Sequence, residues 1–355
     1  MSDQLVMVID GTPHTGWKEA MIARSIERGQ HNFSLKLSEI WNTGNKVNRR
    51  SIKKGMELQA YVNDDLLLTG YINSVEPTYD ATNHIINVRG RSRLGDLVDC
   101  SNTGKPFNGQ SLLQICQSLC KPFNINVIVH ASAKKAASQL FVKTKRLDLG
   151  EPIWEFLEEL ARIRALLLIS NANGDLVITR AGKGHADVAL VLGENIKSAS
   201  GSFSDEQLFS EYTVTAQQSN DEQTQLEGVD TVLPKATVKG TGRYRPMAFA
   251  ADEDMDLAGC KTRAEWQKNV HQGRSESVVY KVQGWRQTPG GRVWAPNELI
   301  TVNDPYQGLS NQERLIVETR LTLNNQGRNT ELRVMPKGAF DLVPEVEKAA
   351  QEFER

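Results

Sequence analysis

The stretch ELQAYVNDDLLLTGYI (residues 57–72) decides the fold, because a closely similar pattern returns much later in the chain. The first copy closes with NHIINVRG (residues 83–90) after a polar turn. The second copy reads ELITVND (residues 298–304) and LIVETR (residues 315–320), and closes with NTELRV (residues 329–334) after the turn NNQG. Such alternation of apolar and polar residues is typical of half-buried strands. Two strand-rich modules of one kind indicate a scaffold that repeats a shape rather than a pocket that performs a reaction.

The composition is that of an ordinary globular protein with room for more than one core. The 355 residues include 39% hydrophobic and 24% charged residues, and 42 basic against 43 acidic residues leave a net charge of −1. This balance argues against a general affinity for nucleic acid or acidic membranes. Four cysteines make no disulfide framework and fit a reducing cytoplasm. The amino terminus carries no signal-peptide pattern, and the apolar run ALLLI (residues 165–169) is far shorter than the ~20 residues that cross a bilayer.

Changes of periodicity along the chain predict an α+β, mainly β protein. Two similar small antiparallel β-barrels are expected, with an α+β domain between them and a small inserted and C-terminal domain. Gly70 interrupts a strand of the first copy, as a glycine at a bulge or sharp bend does. The predicted units are a first barrel (1–95), an α+β domain with two helices and a hairpin (96–193), a second barrel (194–240 and 276–343), and a peripheral domain formed by an insertion with a short helix (241–275) and a C-terminal helix (344–355).

The middle domain carries the clearest local signals. Ser111 and Gln114 form a capping-box pattern before a helix with one apolar face, and Pro122 ends that helix. A second helix is predicted over residues 152–164. The Asn-Gly step at Gly174 lies between two apolar runs and predicts a hairpin.

Few residues have the spacing of a catalytic or metal site. The histidines are scattered singly, and no H-E-x-x-H or G-x-S-x-G motif is present. Cys116 and Cys120 could share a metal, but both lie on an apolar helix face, which favours buried core thiols. Glu158 and Glu159 are adjacent in a helix, so their side chains diverge and do not face each other as a glycosidase pair does. Glycines at 182–184 and 240–242 lack the full spacing of phosphate-binding loops. We therefore expect no catalytic residues, no cofactor and no metal.

Three charged stretches leave alternatives open. The basic stretch RRSIKK (residues 49–54) and the group formed by Lys239, Arg243 and Arg245 around Tyr244 could contact an acidic protein partner or DNA. The acidic stretch DEDMD (residues 252–256) could be a charged rim. In each case a solvated loop is the simpler interpretation.

The chain resembles the baseplate hub proteins of contractile-tailed phages and prophages of the Mu type, which are related to the hub domains of type VI secretion spikes. The likeness covers nearly the whole chain and is strongest over residues 15–180. It rests on the segments DG (10–11), TGW (15–17), IARSIE (22–27), LTGYI (68–72), GRSR (90–93), DLVDC (96–100), LQI (113–115), LCKPF (119–123), the helix from 154 to 162, NGDL (173–176) and WAPN (294–297).

The resemblance implies a homotrimer in which each subunit contributes two barrels to a ring, so that six similar modules adapt a hexameric tube to a trimeric spike. The implied partners are further copies of this chain, a separate tail spike protein, and tail tube or other baseplate proteins. DNA would pass only in transit through the channel, and no stable membrane association is expected. The implied location is the virion tail baseplate, after assembly in the host bacterial cytoplasm. The alternatives are a tail-associated peptidoglycan hydrolase and a nucleic-acid-binding module.

Overall fold

The computed structural model describes residues 3–38, 52–80, 84–102, 104–182, 184–216, 234–250 and 256–340. The strands in these residues are β1 (Leu5–Ile9), β2 (Thr12–His14), β3 (Glu19–Ser25), β4 (Asn32–Ser38), β5 (Glu57–Val62), β6 (Asp65–Tyr79), β7 (His84–Ser92), β8 (Pro106–Phe107), β9 (Val127–Val129), β10 (Lys145–Arg146), β11 (Leu167–Ser170), β12 (Leu176–Thr179), β13 (Gly184–His185), β14 (Leu190–Val191), β15 (Ile196–Phe203), β16 (Glu211–Thr215), β17 (Lys235–Lys239), β18 (Pro246–Ala250), β19 (Glu276–Gln283), β20 (Glu298–Asp304), β21 (Leu309–Asn324) and β22 (Gly327–Met335). The α-helices there are α1 (Gly95–Asp99), α2 (Leu112–Cys120), α3 (Lys134–Ala137), α4 (Ile153–Ile163) and α5 (Leu257–Arg274).

One extended sheet contains the strands of both sequence copies. Its order is β15-β19-β22-β21-β3-β4-β7-β6-β5-β1-β2, and β20 joins β21 to the short parallel strands β13 and β14. We call β1–β7 the first module, and β13–β15 with β19–β22 the second module. The two modules meet where β3 pairs antiparallel with β21, with Ala20 opposite Leu323 and Ser25 opposite Glu318.

The two modules repeat one pairing pattern, including the positions of their bulges. Ile72 lies opposite Gly90 just before a bulge in β6, and Ile316 lies opposite Val334 just before a bulge in β21. Both partners are therefore shifted by 244 positions (316 − 72 and 334 − 90). The shared register shows that β6 and β7 correspond to β21 and β22.

The turns that precede β5 and β20 have the same backbone conformation and the same hydrogen bond. Gly55, at φ 85°, donates its N–H to the carbonyl of Ile72 over 2.7 Å. Asn297, at φ 69°, donates its N–H to the carbonyl of Ile316 over 2.8 Å. Both residues are in the left-handed region that favours glycine and asparagine. This match shifts β5 onto β20 by 242 positions (297 − 55), so the Glu-Leu steps that open the two sequence copies are one residue out of structural register.

Gly70 allows two strands to approach closely. A Cβ atom at Gly70 would lie 1.9 Å from the carbonyl oxygen of Arg91 in β7. The bulges lie on either side of it, one where β5 passes from Ala60 to Tyr61 and one in β6 after Ile72. The expected bulge is thus not at Gly70 itself.

The middle unit folds as its local signals predict. The Ser111 Oγ accepts the Gln114 N–H over 3.3 Å while the Gln114 side chain accepts the Ser111 N–H over 2.9 Å, which confirms the capping box of α2. Pro122 lies in the 3-10 turn that follows α2. Gly174, at φ 79°, turns the hairpin of β11 and β12, and β9 joins this hairpin in parallel. The hairpin, α2 and α4 share one apolar core.

A separate three-stranded sheet, ordered β17-β16-β18, packs against α5. Sequence analysis assigned β16 and β17 to the second barrel, whereas among the described strands they pair with each other, and β16 also pairs with β18, in a sheet of their own. Asp256 caps α5, because its Oδ1 accepts the Gly259 N–H over 2.7 Å. The rest of the acidic stretch (252–255) and the predicted C-terminal helix (344–355) lie outside the described residues.

The α+β, mainly β class is confirmed. Within the described residues the strand order is an open path in which the two modules share one sheet, and no closed barrel is found there. Among the same residues, no helix combines the length and apolar character needed to span a membrane.

Candidate assembly surface

No metal-binding group comes together in the part of the chain that the structure describes, where no three His, Cys, Asp or Glu side chains are close enough to hold an ion. Cys116 and Cys120 are buried in the middle core. Burial raises the pKa of both thiols, to about 12 for Cys120. A thiol held protonated is a poor ligand and nucleophile. These surroundings fit core thiols.

A cleft of about 970 Å³ lies between the first module, α4 and α5. Ile26, Trp154 and Trp266 supply apolar walls. Glu158 lines this cleft, but Glu159, its neighbour on α4, is not among the lining residues. The two carboxylates therefore do not face each other across it, as a glycosidase pair must.

The junction between the modules is a shared core. Trp285 follows β19 in the second module, yet its indole is buried in the apolar cluster of the first module. The Trp285 Nε1–H donates to the Thr322 carbonyl over 3.0 Å. Leu321 of β21 enters the same cluster. Because apolar contact and strand pairing coincide, the modules are joined as one packed body.

Buried polar groups tie the first module to its neighbours. The Arg24 guanidinium donates to the carbonyl of Trp294, and burial lowers the pKa of Arg24 to about 10. His31 bonds through Nε2 to the Ser170 carbonyl of the middle unit over 3.0 Å. Burial, together with the positive charge of Arg24, lowers the pKa of His31 to about 3, so its ring is neutral at physiological pH.

Two further contacts fix the second module. Arg286 forms ion pairs with Asp3 at 2.8 Å and Asp65 at 2.7 Å, which joins it to the first module. Asn297 accepts the Gly182 N–H over 2.8 Å and donates to the Arg180 carbonyl over 3.1 Å, which joins it to the end of the middle unit. These contacts join the three units, and the sheet that runs through the two modules has strands whose outer side pairs with no described strand.

The first open edge belongs to β15, which pairs with β19 on one side and with no described strand on the other. We call it the β15 edge. Its sequence IKSASGSF has no proline and one charge, Lys197, whose Nζ bonds to Gln283 at 2.7 Å and Asn329 at 2.9 Å. Phe203, at the other end, is 51% exposed. Natural edge strands usually carry charges or prolines that prevent pairing with another chain. The β15 edge is poorly protected in this way.

The second open edge is the outer side of residues 73–79, which we call the β6 edge. The ladder of β5 with β6 ends at Tyr71, and no other described strand continues it. The same residues pair with β7 on their inner side. Tyr79, at the end of the strand, is 77% exposed and stacks on His84.

The residues of the two basic groups identified in the sequence differ in the structure: Arg245 makes structural contacts, whereas other members are exposed to solvent. Arg245 donates to the carbonyls of Asp205 at 2.5 Å and Glu206 at 2.6 Å and lies over the Phe209 ring, so it holds a loop. Tyr244 is 80% exposed. In the other basic stretch, residues 49–51 lie outside the described part, and the two lysines at 53 and 54 are exposed.

Sequence analysis did not single out either edge. It predicted strand character from about residue 194, but the polar sequence of β15 does not indicate whether a further strand pairs with its outer side. Pro77 within β6 was an available signal, because proline in a sheet is confined to edges and bulges.

Comparison with known proteins gives one consistent result. Family models match residues 4–92 (Mu phage baseplate assembly protein GpP-like, N-terminal), 94–180 (baseplate hub protein gp44-like, second domain) and 257–343 (Mu phage baseplate assembly protein GpP, fourth domain). The baseplate hub protein gp44 of Escherichia phage Mu is 30% identical over 97% of this chain and 90% of its own length.

Two solved structures share the whole architecture. The 43 kDa tail protein of prophage MuSo2 from Shewanella oneidensis is 34% identical, with a TM-score of 0.84 over 95% of this chain and 99% of its own. The tail protein from Neisseria meningitidis MC58 is 20% identical, with a TM-score of 0.79 over 97% of this chain and 99% of its own, and supports the fold alone.

Proposed function

Because this chain belongs to the family of the phage Mu baseplate hub protein, we propose that it forms the central hub of a contractile tail as a homotrimer joining the tail tube to the spike. The chain is a structural component of the phage tail baseplate and not an enzyme. The single observation that carries this role is similarity to a baseplate hub protein over 97% of the chain.

The duplicated module would let a trimer present sixfold symmetry. Three chains with two similar modules each present six modules in a ring, which suits an adaptor between sixfold and threefold parts. In our proposal each module curls into a small barrel within that ring. We assign the first module to residues 1–95, the α+β unit to residues 96–182, and the second module to residues 184–203 together with 276–343, because β13 and β14 pair with β20. The sheet and helix formed by β16–β18 and α5 are then a peripheral unit.

The proposed partners follow from the same role. They are further copies of this chain, a tail spike protein, and tail tube or other baseplate proteins. DNA passes through the ring in transit, and the protein has no stable membrane association. It assembles in the host bacterial cytoplasm and resides in the virion baseplate. The hydrogen bonds and ion pairs that join the units support a role as a structural scaffold.

A genetic test separates this role from the alternatives. Deleting the gene from an inducible phage should leave no assembled baseplates by electron microscopy, and supplying the chain in trans should restore them. The protein should be found in purified tails by mass spectrometry. Normal baseplates without the protein would refute the proposal. Digestion of purified sacculi by the isolated chain would favour the hydrolase alternative instead.

A further inference from the structure

We propose that the β15 edge of one copy pairs antiparallel with the β6 edge of a neighbouring copy, in a register set by the junction already present inside each chain. This inference rests on the proposed self-assembly and names the surface and the residue pairs that would carry it. Its source is the duplicated ladder of the two modules.

Each strand at the internal junction has a counterpart at an open edge. In β3, Ala20 lies opposite Leu35 of β4, and in β15, Ala199 lies opposite Tyr280 of β19. Leu35 and Tyr280 correspond, because their partners on β7 and β22 are Val88 and Leu332, which differ by the shift of 244 (332 − 88). Therefore β15 occupies in the second module the place that β3 occupies in the first, with a shift of 179 (199 − 20).

The internal junction then dictates the register between copies. Inside the chain, Met21 lies opposite Thr322. Moving Met21 forward by 179 and Thr322 back by 244 places Ser200 of one copy opposite Thr78 of the next. The full proposed ladder, with the β15 residue first, is Phe203–Val75, Ser202–Glu76, Gly201–Pro77, Ser200–Thr78 and Ala199–Tyr79.

The side chains on the two edges suit this register. At the internal junction, small Ala20 faces large Leu323, and the proposed ladder repeats this with Ala199 facing Tyr79. Phe203, which is 51% exposed, would cover Val75 on the same face. No like charges oppose each other in the ladder.

Pro77 shapes the strength of the pairing. It has no N–H, so it offers a carbonyl but no donor to a neighbouring strand. Its proposed partner is Gly201, which brings no side chain to the contact. The ladder is therefore expected to have fewer backbone hydrogen bonds than the internal junction between β3 and β21.

The two edges are different surfaces of the molecule, so each copy offers one of each. Association is head to tail, and it closes into a ring if the rotation per copy allows. An isologous dimer, in which one edge pairs with the same edge of its partner, is not expected.

Paired cysteines test the register in the full-length chain. The background is Cys100→Ser, because Cys100 is exposed while the cysteines at 116, 120 and 260 are buried. The matched variant carries Thr78→Cys and Ser200→Cys, and directly opposed Cα atoms in an antiparallel pair lie about 4.5–5.5 Å apart, within the range of a disulfide. The control variant carries Thr78→Cys and Ser202→Cys, whose diagonal positions are too far apart.

Mild oxidation of the matched variant should give reductant-sensitive species at two and three chain masses, at least tenfold more than the control variant. A mixture of the two single-cysteine proteins should give only two-chain species, and neither single variant should cross-link alone. Equal cross-linking of matched and control variants, or cross-linking of either single variant by itself, would overturn the register.

Light scattering of the same unoxidised samples keeps this inference separate from the proposed function. A trimer without matched cross-linking overturns the strand pairing and leaves the hub role standing. Matched cross-linking in a chain whose loss leaves baseplates intact overturns the hub role and supports the pairing.

Discussion

Replacing Trp285 with alanine should destabilise the junction between the two modules more than β19, the strand that precedes Trp285. The indole is 1% exposed and belongs to the core of the other module. Truncating a buried tryptophan to alanine costs about 3–5 kcal/mol, and this cost includes the loss of its bond to the Thr322 carbonyl. We expect a loss of about 4 kcal/mol, which is roughly a thousandfold in an opening equilibrium.

Native-state hydrogen exchange followed by mass spectrometry measures this loss segment by segment. Amides of β3 and of the C-terminal half of β21 should both exchange up to about a thousandfold faster in Trp285→Ala. Trp294 gives a matched control, because it is equally buried but its Nε1–H has no acceptor among the described residues. Trp285→Phe should therefore cost about 1 kcal/mol more than Trp294→Phe. Faster exchange in β21 with unchanged β3 would refute the shared core.

Three further outcomes are expected. The folded protein holds His31 neutral because its pKa is lowered to about 3, so the stabilisation is present above pH 6.5 and is lost as pH falls towards 3. In urea titrations the unfolding free energy of the wild type should fall by about 2 kcal/mol more than that of His31→Gln between pH 6.5 and 5. Equal losses in the two proteins would contradict this. Gly29→Ala should lower the free energy of unfolding by about 1–3 kcal/mol, because its Cβ would lie 2.4 Å from the Trp154 ring. The control Gly338→Ala should be neutral, because no atom lies within 4 Å of the added Cβ. Similar melting temperatures for the two variants would be inconsistent with the Trp154 contact. In native protein, thiol reagents should label Cys100 quickly and the three buried cysteines slowly, and rapid labelling of a second cysteine would show that a core is open.

Local signals in the sequence predicted local structure well. The capping box at Ser111 and the Asn-Gly turn at Gly174 involve residues a few positions apart, so the sequence contains both partners of each interaction. The repeated strand pattern also predicted a duplicated meander, although comparing letters placed the start of the copies one residue out. Only the ladders, with Gly55 and Asn297 at equivalent turns, fix that register.

Long-range partners could not be predicted in the same way. Alternation predicted strands at β16 and β17 but did not reveal that they pair with β18 in a separate sheet. Trp285 packs in a core whose strands lie some two hundred residues earlier, and no spacing rule connects them. An edge is open when no described strand pairs with one of its sides, and this depends on the topology of the whole sheet.

The mass of the purified chain in solution tests the central claim most directly. Light scattering coupled to size exclusion should give about 118 kDa, three times the 39.5 kDa of one chain, at micromolar concentration. That value should fall towards 39.5 kDa when the β15 edge is blocked by Ser200→Lys. A chain that remains at 39.5 kDa at all accessible concentrations would contradict a self-assembling hub.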